Sequence, residues 1–176
     1  YSEFDKGDDR KGDNIEKFVS THEVIVVKSD GYNRSPHEEY YLRPYNIGPV
    51  ETFRQFPIYF PELVNFIDAT YNTLSDRGHR AITGLSMGGF MTFFIGGKYP
   101  HLFSTVGSFC GSPEFFIGPK DFPVEYRHMD MYKNYGGMNV RLHYGSEDFI
   151  RDYHEDINRV WLTVMDNYGY KIYPGD

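Results

Sequence analysis

Ser86 has a glycine two positions to either side, in the run Gly84-Leu85-Ser86-Met87-Gly88. That spacing suits a serine that attacks a carbonyl carbon. A serine hydroxyl is a weak nucleophile until a base takes its proton, so the backbone must hold Oγ out where base and substrate can reach it. A sharp strand-to-helix turn does this, and it brings strand and helix so close that positions 84 and 88 have no room for side chains. The pattern alone is common, and its surroundings give it weight. Arg80-Ala81-Ile82-Thr83-Gly84 reads as a short strand, and Met87 to Lys98 as a helix ended near Gly97 and Pro100. Gly89 thins the first helical turn further, at a propensity cost that ordinary packing would not favour. The Met87 N–H, at the helix N-terminus, faces the place where negative charge would develop on a substrate oxygen, and it is one of two expected oxyanion donors. The plainer alternative is a Gly-rich turn with an inert serine; the coincidence of strand, turn and helix weighs against it.

Where an elbow of this kind belongs to an α/β-hydrolase fold, the acid and then the histidine follow in chain order. The acid comes from a loop after a later strand, buried enough to orient an imidazole. His143-Tyr144-Gly145-Ser146-Glu147-Asp148 has that form: a strand, a Gly break, then carboxylates. Asp148 and Glu147 are both candidates, with Asp152 more distant, and Asp148 would equally suit capping a helix that begins near Arg151. The base is harder to place. Only His154 follows Asp148, and it lies in the next predicted helix, too near the acid to belong to a separate loop. It reads as a surface helix residue. His22, His37, His79, His101, His128 and His143 all precede the acid. None of the histidines has the i, i+4 partners of a zinc pattern, and the lone Cys110 can form neither an intrachain disulfide nor a cysteine zinc site. Neither a metal nor a cofactor is expected.

The elements that position these residues alternate. Residues 1–13 read as a surface loop, and Asn14 as the cap of a short helix through Ser20. Glu23-Val24-Ile25-Val26-Val27 is a β-branched run of the kind found in strands buried on both faces. A long loop over 28–56 follows, then a helix from Pro61 to about Leu74. Beyond the 87–98 helix, Ser104 to Phe109 and Val140 to Tyr144 are strands, Tyr153 to about Asn167 is a helix, and Tyr170 to Tyr173 is a last strand. Residues 111–138 read as irregular with one short helix. Such alternation predicts one α/β domain over 1–176, a mostly parallel sheet with helices on both faces.

Arg80 to Phe103, together with Val106-Gly107-Ser108-Phe109-Cys110-Gly111 and the Asp30-Gly31 turn after Val24, closely resembles the putative-esterase family of α/β-hydrolases. That family includes feruloyl and acetylxylan esterases, S-formylglutathione hydrolases and mycolyltransferases. The resemblance runs from about Glu23 onward and is strongest for carbohydrate esterases of family 1 type. It implies that Asp148 is the acid, by the family's G-x-x-D. It also implies that the base is a histidine directly after Pro174-Gly175-Asp176, and that a His-Gly segment upstream of Tyr1 supplies the second oxyanion N–H. On this reading the chain is an internal portion of a longer hydrolase that removes feruloyl or acetyl groups from plant polysaccharide. A secreted or periplasmic setting is expected.

Composition agrees with a folded enzyme and excludes other classes. Hydrophobic residues make up 40% and charged residues 24%, as in ordinary globular domains. A formal charge of −7 with no basic cluster argues against a nucleic-acid partner. No apolar run approaches the ~20 residues that span a bilayer, and Tyr1 to Lys6 lacks the apolar core of a signal peptide. Aromatic residues reach 18%. Much of that suits a core, while Tyr40, Tyr41, Tyr45, Tyr132 and Tyr135 are positioned in loops where a sugar or aryl group could stack. The sequence does not indicate an oligomeric state.

Overall fold

The computed structural model describes residues 15–29, 56–111, 114–117, 124–127 and 133–175. The expectations for 1–14, for most of the 28–56 loop with its tyrosines, for the Asp30-Gly31 turn and for Tyr132 lie outside the described residues. The chain divides into two compact units, Tyr1–Asp30 and Gly31–Asp176.

In the first unit, α1 (Ile15–Val19) forms where the cap at Asn14 predicts a helix. Its end is closed by the Ser20 N–H on the Glu16 carbonyl at 3.1 Å, and His22 stacks on Phe18 with ring centroids 4.1 Å apart. The β-branched run at 23–27 does not become the buried strand expected of it. Val24 to Val27 are exposed, and among the described residues no strand pairs with them. Branching at Cβ biases a backbone toward extended conformations, but a strand also requires a neighbouring ladder to satisfy its polar groups.

The second unit is built on a four-stranded, all-parallel sheet in the order β1 (Ala81–Leu85), β2 (Thr105–Phe109), β5 (Asn139–Gly145), β6 (Tyr168–Tyr173). This is an α/β-hydrolase-like sheet, as the alternation of elements predicts. Helices α3 (Met87–Lys98) and α4 (Arg151–Val164) connect its strands. In α4 the residues His154, Ile157, Asn158 and Trp161 are buried at i, i+3, i+4 and i+7, one stripe of a 3.6-residue period. Trp161 meets Phe93, Tyr135 and Tyr168 edge-on, with centroids 5.2, 5.5 and 5.3 Å away. That geometry suits aromatic quadrupoles. Two buried tyrosine hydroxyls in this layer are paired: that of Tyr135 donates to the Phe93 carbonyl at 2.8 Å, and that of Tyr144 accepts from Asn158 Nδ2 at 2.8 Å.

Both α3 and α4 pack on the face carrying Val106, Val140 and Leu142. On the opposite face Thr83, Leu85, Arg141 and Lys171 are exposed among the described residues.

Two further regions differ from expectation. Helix α2 spans Phe56–Thr70 rather than 61–74 and carries Pro61 inside it. Pro61 is the sixth residue of the helix and has no N–H to give the carbonyl of residue 57, so one intrahelical bond near the start is missing. Asp68 of α2 pairs with Arg80, and Phe60 packs on Phe103, which fastens the helix beside β1. In the segment expected to be irregular, β3 (Glu114–Ile117) and β4 (Val124–Arg127) form an antiparallel pair. Its hydrophobic signal is short and interrupted by Gly118 and Pro119, which masks the strand period.

Candidate active site

In a parallel sheet every strand ends on the same edge, so the residues that follow β1, β2, β5 and β6 are neighbours by construction. The ladder continues one residue past three of these strands. Ser86 N–H donates to the Phe109 carbonyl at 2.7 Å, Cys110 N–H to the His143 carbonyl at 2.7 Å, and Ser146 N–H to the Tyr173 carbonyl at 2.8 Å. The serine, the cysteine and the start of the acidic loop are thereby fixed in one row.

Ser86 is exposed and adopts φ 54°, ψ −117°, a conformation L-residues rarely hold. It is the residue before α3, and its side chain makes no capping bond, so Oγ is not committed to the helix. The turn is tight for the reason the glycines suggest. A Cβ on Gly84 would lie 2.3 Å from the Gly88 carbonyl oxygen, and one on Gly89 would lie 2.9 Å from Gly111 Cα and 2.6 Å from Ser108 Oγ. Strand and helix backbones therefore touch on both sides of Ser86. The Met87 N–H opens α3 and belongs to the first turn, whose donors have no intrahelical acceptor.

The structure separates the three acidic candidates by burial. Glu147 and Asp152 are exposed, whereas the Asp148 side chain is 6% exposed. Asp148 Oδ1 accepts the Ile150 N–H at 3.0 Å, a turn contact just ahead of α4 that leaves the first-turn donors of the helix uncapped by a side chain. The same carboxylate also stands near enough to the Cys110 thiol for its charge to raise the thiol pKa, and it faces His154. Burial pushes the Cys110 thiol above its ordinary pKa, and the Asp148 charge pushes it further. Cys110 itself has φ 53°, a second strained position on this edge.

His154 is not the surface residue expected of it. It is 0% exposed, with Nε2 3.4 Å from Asp148 Oδ2 and its ring 4.8 Å from that of Tyr144. The amphipathic phase of α4 is the signal that would have found it, since His154 shares a stripe with Ile157 and Trp161. His143, at the end of β5, has its ring 5.0 Å from Phe109 and its Nδ1 3.3 Å from the Tyr173 hydroxyl. Burial holds its pKa below the usual value, helped by the charges of Lys171 and Arg141.

The end of β6 is tied to the acidic loop. The Glu147 N–H donates to the Gly175 carbonyl at 2.8 Å, and the Gly175 N–H to Ser146 Oγ at 3.1 Å. Among the described residues no group of three His, Cys, Asp or Glu side chains could hold a metal ion, and no helix is long and apolar enough to cross a membrane.

Solved structures with this fold include an S-formylglutathione hydrolase from Staphylococcus aureus, at 14% identity and TM-score 0.61, covering 73% of this chain and 59% of that one. A CE1 ferulic acid esterase from Anaeromyces mucronatus, in complex with ferulic acid, is similar at 16% identity and TM-score 0.55, over 86% of this chain and 53% of that one. An enterochelin esterase from Shigella flexneri matches at 17% identity and TM-score 0.54, over 66% of this chain and 31% of that one. The chain thus spans less than two thirds of each of these proteins. The model of the family described as Putative esterase matches residues 15–167, and the chain belongs to that family.

Proposed function

We propose that this chain carries the nucleophile and the acid of a serine esterase that works through an acyl-serine intermediate. The observation that carries the reading is the strained, exposed backbone of Ser86 at the carboxyl edge of the sheet. Strain of this kind persists only where the surroundings enforce it, and it gathers at functional sites. Asp148 is the acid, and the base is a histidine that bridges it to Ser86. The bonds that tie Gly175 to Ser146 and Glu147 hold the end of β6 against the Asp148 loop at this edge.

In the proposed reaction the imidazole takes the Ser86 proton as Oγ adds to the ester carbonyl. The Met87 N–H and a second N–H from an upstream segment stabilise the oxyanion. Collapse of the tetrahedral intermediate breaks the ester bond, and the imidazolium returns its proton to the departing alcohol. Water, deprotonated by the same imidazole, then releases the acid from Ser86.

For the acyl group we propose feruloyl or acetyl on plant polysaccharide, met by a secreted or periplasmic enzyme. The family resemblance and the similarity to a ferulic acid esterase support this choice. Steady-state kinetics of the full-length protein on aryl ferulate, aryl acetate and S-formylglutathione test it. The proposal expects the largest kcat/KM on ferulate or acetate. A preference for S-formylglutathione by tenfold or more, on the order of 1.4 kcal/mol of transition-state binding, would assign the enzyme to thioester substrates instead.

A further inference from the structure

We infer that His154 is a positioning residue for Asp148: its neutral imidazole donates from Nε2 to Asp148 Oδ2 and holds the carboxylate in the orientation from which it meets the catalytic base. The inference rests on the reading of Asp148 as the triad acid.

A carboxylate almost removed from water must be compensated by donors. Oδ1 has the Ile150 N–H at 3.0 Å. On the Oδ2 side His154 Nε2 lies at 3.4 Å, and among the described residues no Lys or Arg pairs with Asp148. His154 has the converse need. It is 0% exposed and neither ring nitrogen is hydrogen-bonded, a state that disfavours the fold unless a partner is found. A proton on Nε2 faces Oδ2 across that 3.4 Å and gives each of these two atoms its partner.

The ring is held from its other side by Tyr144, whose hydroxyl is fixed by Asn158. Burial keeps His154 below its ordinary pKa, against the opposing pull of Asp148, so the ring is neutral at neutral pH. With one proton to place and a carboxylate oxygen facing Nε2, the proton belongs on Nε2. A neutral donor suits this position chemically. It fixes the carboxylate while leaving its full negative charge to stabilise the imidazolium that forms during catalysis. A lysine or arginine here would draw that charge away from the base.

The test uses the full-length protein and two readouts. Nitrogen-15 NMR of labelled histidine is expected to show His154 as the Nε2–H tautomer, with a hydrogen-bonded ring proton that shifts in Asp148→Asn. With an aryl acetate, His154→Leu is expected to lower kcat by about tenfold with KM little changed, as a loosened acid misorients the base. His154→Gln, which retains a donor, should recover most of that loss. A His154 ring protonated on Nδ1, or a His154→Leu enzyme with unaltered kcat, overturns the inference. If the Leu variant fails to fold, the tautomer of the native protein decides. An inactive Asp148→Asn beside an unaffected His154→Leu overturns this inference alone; an Asp148→Asn enzyme with near-normal turnover overturns the triad reading and this inference with it.

Discussion

Ser86 and Cys110 hold positive φ values of 54° and 53° at the ends of adjacent strands. A side chain at such a position costs about 1–3 kcal/mol, and glycine avoids most of that. Ser86→Gly is therefore expected to be more stable than Ser86→Ala by about 1 kcal/mol, a rise of roughly 2–4 °C in Tm, with both variants inactive. Calorimetry of the pair checks this, since both lack the hydroxyl and differ only at the strained backbone. The Cys110 thiol has its pKa raised by burial and by Asp148. Its alkylation by iodoacetamide should be slow at pH 7.5, and Asp148→Asn should speed it by removing the charge that disfavours the thiolate. The turn around Ser86 is legible in the sequence because its requirements are local: two glycines, a strand before and a helix after. The burial that distinguishes Asp148 from Glu147 and Asp152 is not, because it depends on elements packed from elsewhere in the chain. His154 was misplaced because its partner lies six residues away through a turn, a relation that helical phase reveals and sequence distance hides.

Strand β1 and helix α3 meet at backbone contact, which makes the joint sensitive to a single methyl. Gly84→Ala would set Cβ 2.3 Å from one backbone atom of Gly88 and 2.4 Å from another, and neither can rotate away. The helix must shift, at a cost of about 1–3 kcal/mol, and Ser86 shifts with it. Urea unfolding should show the loss of stability, and kcat should fall more than KM rises. Trp161 does for α4 what the glycines do for α3. Removing its ring with Trp161→Ala should cost about 3–5 kcal/mol in the same assay, because Phe93, Tyr135 and Tyr168 all pack against it. Helix and strand periods of this strength are readable in sequence, and α3 spans the residues expected of it. The run at 23–27 shows the limit of such reading. Its composition is that of a central strand, yet among the described residues no strand pairs with it, and pairing is a property of two segments.

The whole molecule combines a sheet edge that gathers the reactive residues with a core that buries a histidine under them. Burial lowers the pKa of both His154 and His143 from 6.5. The unfolded chain therefore binds these protons more readily than the folded one, and stability rises with pH through this window. It should be fully present above about pH 6.5 and decline as pH falls below that value, the ordinary histidine pKa. Thermal unfolding between pH 5 and 8 should show the decline, and His154→Gln should flatten it. The parallel direction of the strands was legible because alternating strands and helices favour a parallel sheet; the β3–β4 pair was not, since its two short segments carry no clear period. The central claim is that the sheet edge makes Ser86 a nucleophile. Labelling the full-length protein with a fluorophosphonate, followed by peptide mapping, tests it most directly. The account predicts one modified residue, Ser86, and no labelling of Ser86→Ala; an unlabelled protein, or labelling that survives Ser86→Ala, would contradict it.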